Sequence, residues 1–179
     1  MIYKLYTDGA TSKNGYEGAY GGCGWAIITN DELIAAGQQP IKEGATNNIC
    51  ELKGMINGCK TVMQDLEAFD VVLVYSDSAY IINCYKQGWY KAWERNGWVN
   101  SKKQPVANKE LWEELIPFFE NPNFKFEKVV GHSGDKWNDY VDKLAVEAKN
   151  GKRGNYKWSP EERKGHFRKF LFEGTEGLR

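Results

Sequence analysis

Two aspartates that follow strand-like segments are the residues of this sequence with the clearest capacity for chemistry. Residues 2–7 end at Asp8, and the apolar run 71–75 leads through Ser76 to Asp77. If the two strands are parallel neighbours about 4.8 Å apart, both carboxylates lie at the sheet edge where open α/β sheets place their sites. Adjacent carboxylates repel each other unless a proton or cation intervenes. The pair therefore predicts a site for a hard divalent cation such as Mg²⁺.

Each candidate residue also has a purely structural interpretation. An Asp before Gly is common in turns, and Asp-Ser can cap a helix. Asn48 and Glu51 have capping-box spacing, and a Glu in the first turn suits the helix dipole. Asp142 lies with Asp139 on what would be an exposed face of the last helix. His132 is a loop residue, although an imidazole pKa of about 6.5 also suits proton transfer.

The hydrophobic pattern predicts the elements that must position these residues. Period-two and all-apolar runs indicate strands at 2–7, 24–29, 32–39, 71–75 and 124–130. Asn30 and Asp31 would form a two-residue hairpin connection. Three- and four-residue apolar spacing indicates helices at 52–66, 79–87, 109–119 and 136–149. The order predicts an α/β fold with a mixed sheet and helices on its faces.

Composition limits the class of protein. The chain has 179 residues, 41% hydrophobic and 27% charged, which suits one globular domain. No apolar run approaches the roughly 20 residues of a membrane span, and the N-terminus resembles a strand rather than a signal peptide, so we expect a cytoplasmic protein. Four cysteines without C-x-x-C spacing indicate reduced, buried thiols.

Charge is distributed unevenly along the chain. The net charge is zero, but residues 1–150 carry 16 basic and 20 acidic residues, whereas residues 151–179 carry 8 and 4. We therefore predict a domain at 1–149 followed by a basic tail at 150–179. The tail could contact a nucleic-acid backbone or could simply be solvated.

Residues 84–112 combine aromatic and basic side chains. The segment holds four of the seven tryptophans and six basic residues against two acids. Such interleaving suits a surface for a nucleic-acid backbone. Alternatively, the tryptophans pack a helical hairpin and the lysines solvate it.

Five segments together resemble type 1 ribonucleases H. They occur in the family's order over residues 2–149: YTDG at 6–9, TNNICEL at 46–52, YSDS at 75–78, VGHSG at 130–134 and DYVDKLA at 139–145. The resemblance implies the ribonuclease H-like fold, a five-stranded mixed sheet flanked by helices. It also implies cleavage of the RNA strand of RNA–DNA hybrids, leaving 5′-phosphate and 3′-hydroxyl ends.

The resemblance implies a catalytic set as well. Four carboxylates would hold two Mg²⁺ ions, with Mn²⁺ as a possible substitute: Asp8, Glu51, Asp77 and Asp142. Asp8 would bridge both ions, Asp142 would serve the ion that activates water, and the other two would serve the ion near the leaving oxygen. His132 would assist proton movement or product release.

Substrate contacts follow from the same resemblance. Asn47 and Asn48 would contact minor-groove edges and 2′-hydroxyls, and Thr46 and Asn96 would belong to a pocket for a DNA-strand phosphate. The segment around Trp93 resembles the family's basic protrusion, here represented by Lys91, Trp93, Arg95 and Trp98. Gly44 and Ala79 depart from an arginine and a glutamine of other members, which affects the expected affinity and sequence preference.

Three alternatives remain at this stage. Another nuclease of the same fold, such as a resolvase or transposase core, would not require the asparagine loop at 46–48. A hybrid-binding module without catalysis would not require four carboxylates. A small-molecule metalloenzyme would not need the protrusion. We expect the hybrid duplex as partner, no membrane, no obligate protein partner and a monomeric state.

Overall fold

A computed structural model describes residues 1–14, 16–129, 135–159 and 161–162. Over these residues the chain forms six strands and five helices. The strands are β1 (Ile2–Ser12), β2 (Tyr20–Thr29), β3 (Glu32–Ile41), β4 (Val71–Ser76), β5 (Phe124–Lys128) and β6 (Gly154–Lys157). The helices are α1 (Asn47–Met63), α2 (Ala79–Gln87), α3 (Trp89–Asn96), α4 (Lys109–Phe119) and α5 (Lys136–Lys149). The predicted α/β class is confirmed, with six strands in place of five.

The strand order places the ends of β1 and β4 side by side. The sheet runs β5-β4-β1-β2-β3-β6, with β1 parallel to β4 and β4 parallel to β5. Tyr6 is aligned with Tyr75, and Asp8 and Asp77 each follow this pair by two residues. The predicted juxtaposition of the two strand ends is therefore confirmed. The other neighbours in the sheet are antiparallel, so the sheet is mixed.

The connection between β2 and β3 also follows the prediction. Asn30 and Asp31 have φ angles of 50° and 61°. Positive φ at both central residues is the requirement of a type I′ turn, whose twist matches that of the flanking strands. Asn and Asp tolerate this conformation better than most residues.

Helices cover both faces of the sheet. On one face, α1 and α4 contribute Leu52 and Trp112 to a cluster with Leu5 and Val74 of the sheet. On the other, α5 contributes Tyr140 and Leu144 to a second cluster. Buried apolar surface on both faces is the main source of stability for such a layered fold.

Two glycines let the helices approach the strands closely. A Cβ atom at Gly9 would lie 2.6 Å from the carbonyl carbon of Cys50 in α1. A Cβ atom at Gly22 would lie 2.3 Å from the backbone nitrogen of Lys149 in α5. Neither side chain could be accommodated without moving backbone. The close approach at Gly9 brings the beginning of α1 next to the end of β1.

Strand β6 lies in the segment that the sequence pattern assigned to a basic tail. Tyr156 anchors the strand, because its hydroxyl donates to Gln38 Oε1 at 2.9 Å. Lys152 pairs with Glu147 at 3.3 Å and Lys157 with Asp65 at 2.8 Å. These two basic side chains are thus engaged with acidic groups of the protein itself. The remaining tail residues, 160 and 163–179, lie outside the described residues.

The four cysteines are free and buried, as expected. Burial raises the pKa of the Cys50 thiol to about 11 and those of Cys23 and Cys84 to about 12. These thiols are therefore protonated at neutral pH and poorly nucleophilic. Across the described residues, no helix combines the length and apolar character needed to cross a membrane.

Candidate active site

Three carboxylates converge at the end of the sheet. Asp8 lies in β1, Glu51 in α1 and Asp77 directly after β4. One carboxylate oxygen of each lies within 4.8 Å of those of the other two. Asp8 is buried, with 4% of its surface exposed, and the other two are half-buried. Such a cluster of hard oxygen ligands can hold a divalent metal ion.

The position of Glu51 is set by the residue at which α1 begins. The helix is capped by Thr46, whose hydroxyl oxygen accepts from the Ile49 amide at 3.1 Å. The capping-box interpretation of Asn48 and Glu51 is therefore wrong, because the cap lies two residues earlier and Glu51 falls beyond the first turn. The buried Oε2 atom of Glu51 has no hydrogen-bond partner among the described residues. A buried carboxylate oxygen without a partner is costly, and a bound cation would compensate for it.

The like charges of the three carboxylates repel one another. Burial raises the pKa of Asp8 to about 8, and the neighbouring charge of Asp77 adds to the rise. The Gly9 amide, which donates to Asp8 Oδ1 at 2.9 Å, acts in the opposite direction. Burial, followed by the charges of Asp8 and Asp77, also raises the pKa of Glu51 well above its ordinary value. The cluster therefore resists full ionisation until a cation replaces its protons.

Asp142 is the aspartate that α5 directs toward this cluster. Its side chain is half-buried, and its charge is among the causes that raise the pKa of Asp8. It lies outside the group of three carboxylates with oxygens within 4.8 Å. Asp139 is exposed. Asp135 caps α5 by accepting from the amides of residues 137 and 138, and His132 lies outside the described residues.

In the metal-free protein, the free energy of unfolding should fall as the pH rises from about 4 to about 8. Over this interval the folded protein retains protons on Asp8 and Glu51 that the unfolded chain releases, because both pKa values are raised. We expect a decline of up to about 1.4 kcal/mol per pH unit for each proton that only the folded protein retains. Urea unfolding in EDTA at several pH values measures it. Asp8→Asn should make the decline less steep, and Asp139→Asn should leave it unchanged. A wild-type stability that stays constant or rises with pH would contradict the raised pKa values of Asp8 and Glu51.

The N-terminus of α1 holds the predicted substrate-contact residues. Asn47 and Asn48 are exposed, and Thr46 is half-buried. The Thr11 hydroxyl donates to Asn47 Oδ1, and the Asn47 amide donates to Asn14 Oδ1 at 2.8 Å. Sequence reasoning missed Thr11 and Asn14. The only available signal was that both are polar residues a few positions after Asp8.

The structure places Trp93 in the hydrophobic core rather than on the surface. Only 8% of its surface is exposed, and its ring packs 5.8 Å from that of Trp98 and 5.4 Å from that of Trp112. The alternative in which the tryptophans pack the helices of this segment therefore applies to Trp93. Its ring offers little exposed area on which a base could stack. Trp98 is half-buried, with Lys109 Nζ 5.7 Å from its ring centre.

The polar residues of α3 remain accessible. Lys91 and Arg95 are exposed. Asn96 is also exposed, but its amide group donates to the Val99 carbonyl at 3.0 Å and accepts from the Val99 amide at 3.1 Å. Asn96 thus closes the turn after α3. The described part of the chain brings Asp8, Glu51 and Asp77 together as one site, and Lys91 and Arg95 lie exposed on α3.

A mixed sheet with a carboxylate cluster at adjoining strand ends defines an α/β protein with an acidic site that can hold a divalent metal ion. Comparison with known proteins identifies it more closely. The model of the RNase H family matches residues 2–150. The chain belongs to the ribonuclease H family.

Individual relatives agree with this assignment. Ribonuclease H of Caldicellulosiruptor saccharolyticus is 42% identical over 141 residues, covering 79% of this chain and 91% of the relative. Ribonuclease H of Syntrophomonas wolfei subsp. wolfei is 42% identical over 144 residues, covering 80% and 93%. The chain thus spans nearly the whole length of these relatives.

Solved structures share the fold. LC9-RNase H1, a type 1 RNase H with the type 2 active-site motif, superposes with a TM-score of 0.73 at 22% identity, covering 98% of this chain and 84% of that one. LC11-RNase H1 in complex with an RNA/DNA hybrid gives a TM-score of 0.61 at 24% identity, covering 83% and 96%. The predicted ribonuclease H-like fold is confirmed.

Proposed function

We propose that this protein is an endoribonuclease that hydrolyses the RNA strand of RNA–DNA hybrids. The observation that carries the proposal is the convergence of Asp8, Glu51 and Asp77 in a chain of the ribonuclease H family. Relatives about 40% identical are ribonucleases H, and one solved structure with this fold is a complex with an RNA/DNA hybrid.

The proposed cofactor is Mg²⁺, bound as two ions, with Mn²⁺ as a substitute. Asp8, Glu51, Asp77 and Asp142 would hold it. When bound, the cations stabilise the charge that develops on the cleaved phosphodiester and favour deprotonation of water. Asp8 would be the most central ligand, because its oxygen lies within 4.8 Å of those of Glu51 and Asp77 and the charge of Asp142 also acts on it. A cation bound by Glu51 would also provide a partner for its buried Oε2 atom.

The outer residues of the site would manage protons and products. Asp142, half-buried on α5, is exposed enough to meet water and close enough to influence Asp8. His132 is proposed to move a proton or to assist release of a 5′-phosphate product, since an imidazole titrates near neutral pH. The other RNA fragment produced by cleavage would end in a 3′-hydroxyl.

Hybrid binding is assigned to two surfaces. Asn47 and Asn48 begin α1 one turn before Glu51, so they flank the cluster and would contact the minor groove and the 2′-hydroxyls that distinguish RNA from DNA. Thr46 and Asn96 would contribute to a pocket for a DNA-strand phosphate.

The second surface is α3. Exposed Lys91 and Arg95 would contact the sugar–phosphate backbone through charge, and half-buried Trp98, two residues after α3, would add a further contact. The carboxylates come from one chain, so the proposal requires no second subunit. The four free cysteines fit a reducing, cytoplasmic location.

Strand-labelled duplexes of one sequence test this function. An RNA–DNA hybrid, a double-stranded RNA and a double-stranded DNA are incubated with the protein in Mg²⁺ or in EDTA. Cutting of only the RNA strand of the hybrid, and only with Mg²⁺, is the expected result. Cutting of DNA would favour a resolvase-like nuclease, and hybrid binding without cutting in Mg²⁺ would favour a binding module.

A further inference from the structure

Asn47 is held in place from two sides by the segment that follows Asp8. It is the first residue of α1 and is exposed. Its backbone amide donates to Asn14 Oδ1 at 2.8 Å, which satisfies one of the N–H groups left free at a helix start. Its side-chain oxygen accepts from the Thr11 hydroxyl. The residue is therefore fixed in both position and side-chain orientation before any substrate binds.

The contact with Thr11 leaves the NH₂ half of the Asn47 amide facing away from β1. A carboxamide carries one acceptor oxygen and one NH₂ donor group. Because Oδ1 is turned toward the Thr11 hydroxyl, Nδ2 lies on the opposite side of the amide. From the proposed function it follows that the hybrid meets a donor at this position. We infer that Thr11 is a positioning residue that holds the Asn47 side chain in place to donate to hydrogen-bond acceptors on the hybrid.

This orientation has a consequence for sequence preference. In the minor groove every base pair presents acceptors, purine N3 and pyrimidine O2, and only a G·C pair adds a donor, the guanine amino group. The 2′-hydroxyl oxygen is also an acceptor. A fixed NH₂ group can therefore bind at any base pair. The contact that Asn47 makes in this orientation is therefore independent of sequence.

Thr11→Val tests the inference, because valine keeps the shape of threonine and removes the hydroxyl. Hybrid cleavage by wild type, Thr11→Val, Thr11→Ser and Asn47→Ala is measured, together with the double variant Thr11→Val/Asn47→Ala. Thr11→Val should lower kcat/KM about tenfold, the equivalent of one hydrogen bond, mainly through KM. Thr11→Ser should remain within about twofold of wild type, because serine retains the hydroxyl.

The double variant separates positioning from a structural role. If Thr11 acts through the Asn47 amide, Thr11→Val has no further effect once Asn47 is alanine. Ser12→Ala is the matched control, since successive side chains of a strand point to opposite faces, and it should leave kcat/KM unchanged. Wild-type activity of Thr11→Val, or an equal loss in the Asn47→Ala background, would overturn the inference and leave the proposed function intact. A wild-type protein that cleaves no hybrid would overturn both.

Discussion

Asp77→Asn should abolish hybrid cleavage while making the metal-free protein more stable. Asparagine has nearly the same shape but lacks the charge that the proposed metal site requires. We expect kcat to fall by about 10³-fold or more, the scale of losses when a member of a catalytic unit is removed. Strand-labelled hybrid cleavage in Mg²⁺ measures this loss.

The gain in stability has a separate physical cause. The charge of Asp77 is the second largest cause of the raised pKa of Asp8 and also raises that of Glu51. Its removal relieves a repulsion that we expect to amount to about 1 kcal/mol. Urea unfolding in EDTA at pH 7 measures it. An active site commonly retains such repulsion because function requires it.

The matched control is Asp139→Asn, which removes one exposed charge from α5 near Asp142. It should change neither cleavage nor stability appreciably. Adding Mg²⁺ should raise the unfolding midpoint of the wild type and of Asp139→Asn more than that of Asp77→Asn, since a ligand stabilises only the protein that binds it. Wild-type turnover by Asp77→Asn would refute the site assignment. If Asp77→Asn were less stable than the wild type in EDTA, the proposed repulsion between Asp77 and its neighbouring carboxylates would be refuted.

The sequence alone sufficed for the part of the site that depends on strand pattern. The segments ending at Asp8 and Asp77 were recognisable from their apolar residues, and parallel pairing of β1 with β4 brings them together. Glu51 could not be assigned from local pattern. Its role depends on where α1 begins, and the Thr46 hydroxyl rather than Asn48 provides the cap. Only the resemblance to a family singled out Glu51 and Asp142.

Features that depend on partners distant in sequence were not predictable. Strand β6 has four residues and no clear periodicity, and it forms because the edge of β3 and the side chain of Gln38 are available to it. Strand formation depends strongly on such neighbours. The same holds for Thr11 and Asn14, whose bonds to Asn47 join residues 36 and 33 positions apart.

Trp93→Ala should reduce stability strongly and hybrid affinity weakly. The side chain is buried against Trp98 and Trp112, and truncating a buried aromatic residue to alanine typically costs about 3–5 kcal/mol. Urea unfolding measures the loss. Below the unfolding transition, KM for the hybrid should stay within a few-fold of wild type, since Trp93 has little surface with which to contact substrate.

Arg95→Ala provides the opposite pattern on the same helix. Its side chain is exposed, so stability should change little, while KM rises and the salt dependence of binding weakens by about one unit of slope. A stable Trp93→Ala protein with a greatly raised KM would instead restore base stacking as the role of Trp93. If the expected pattern holds, the aromatic residues of this segment serve binding indirectly. Their packing fixes α3 on the domain, and the fixed helix presents Lys91 and Arg95 to the nucleic acid.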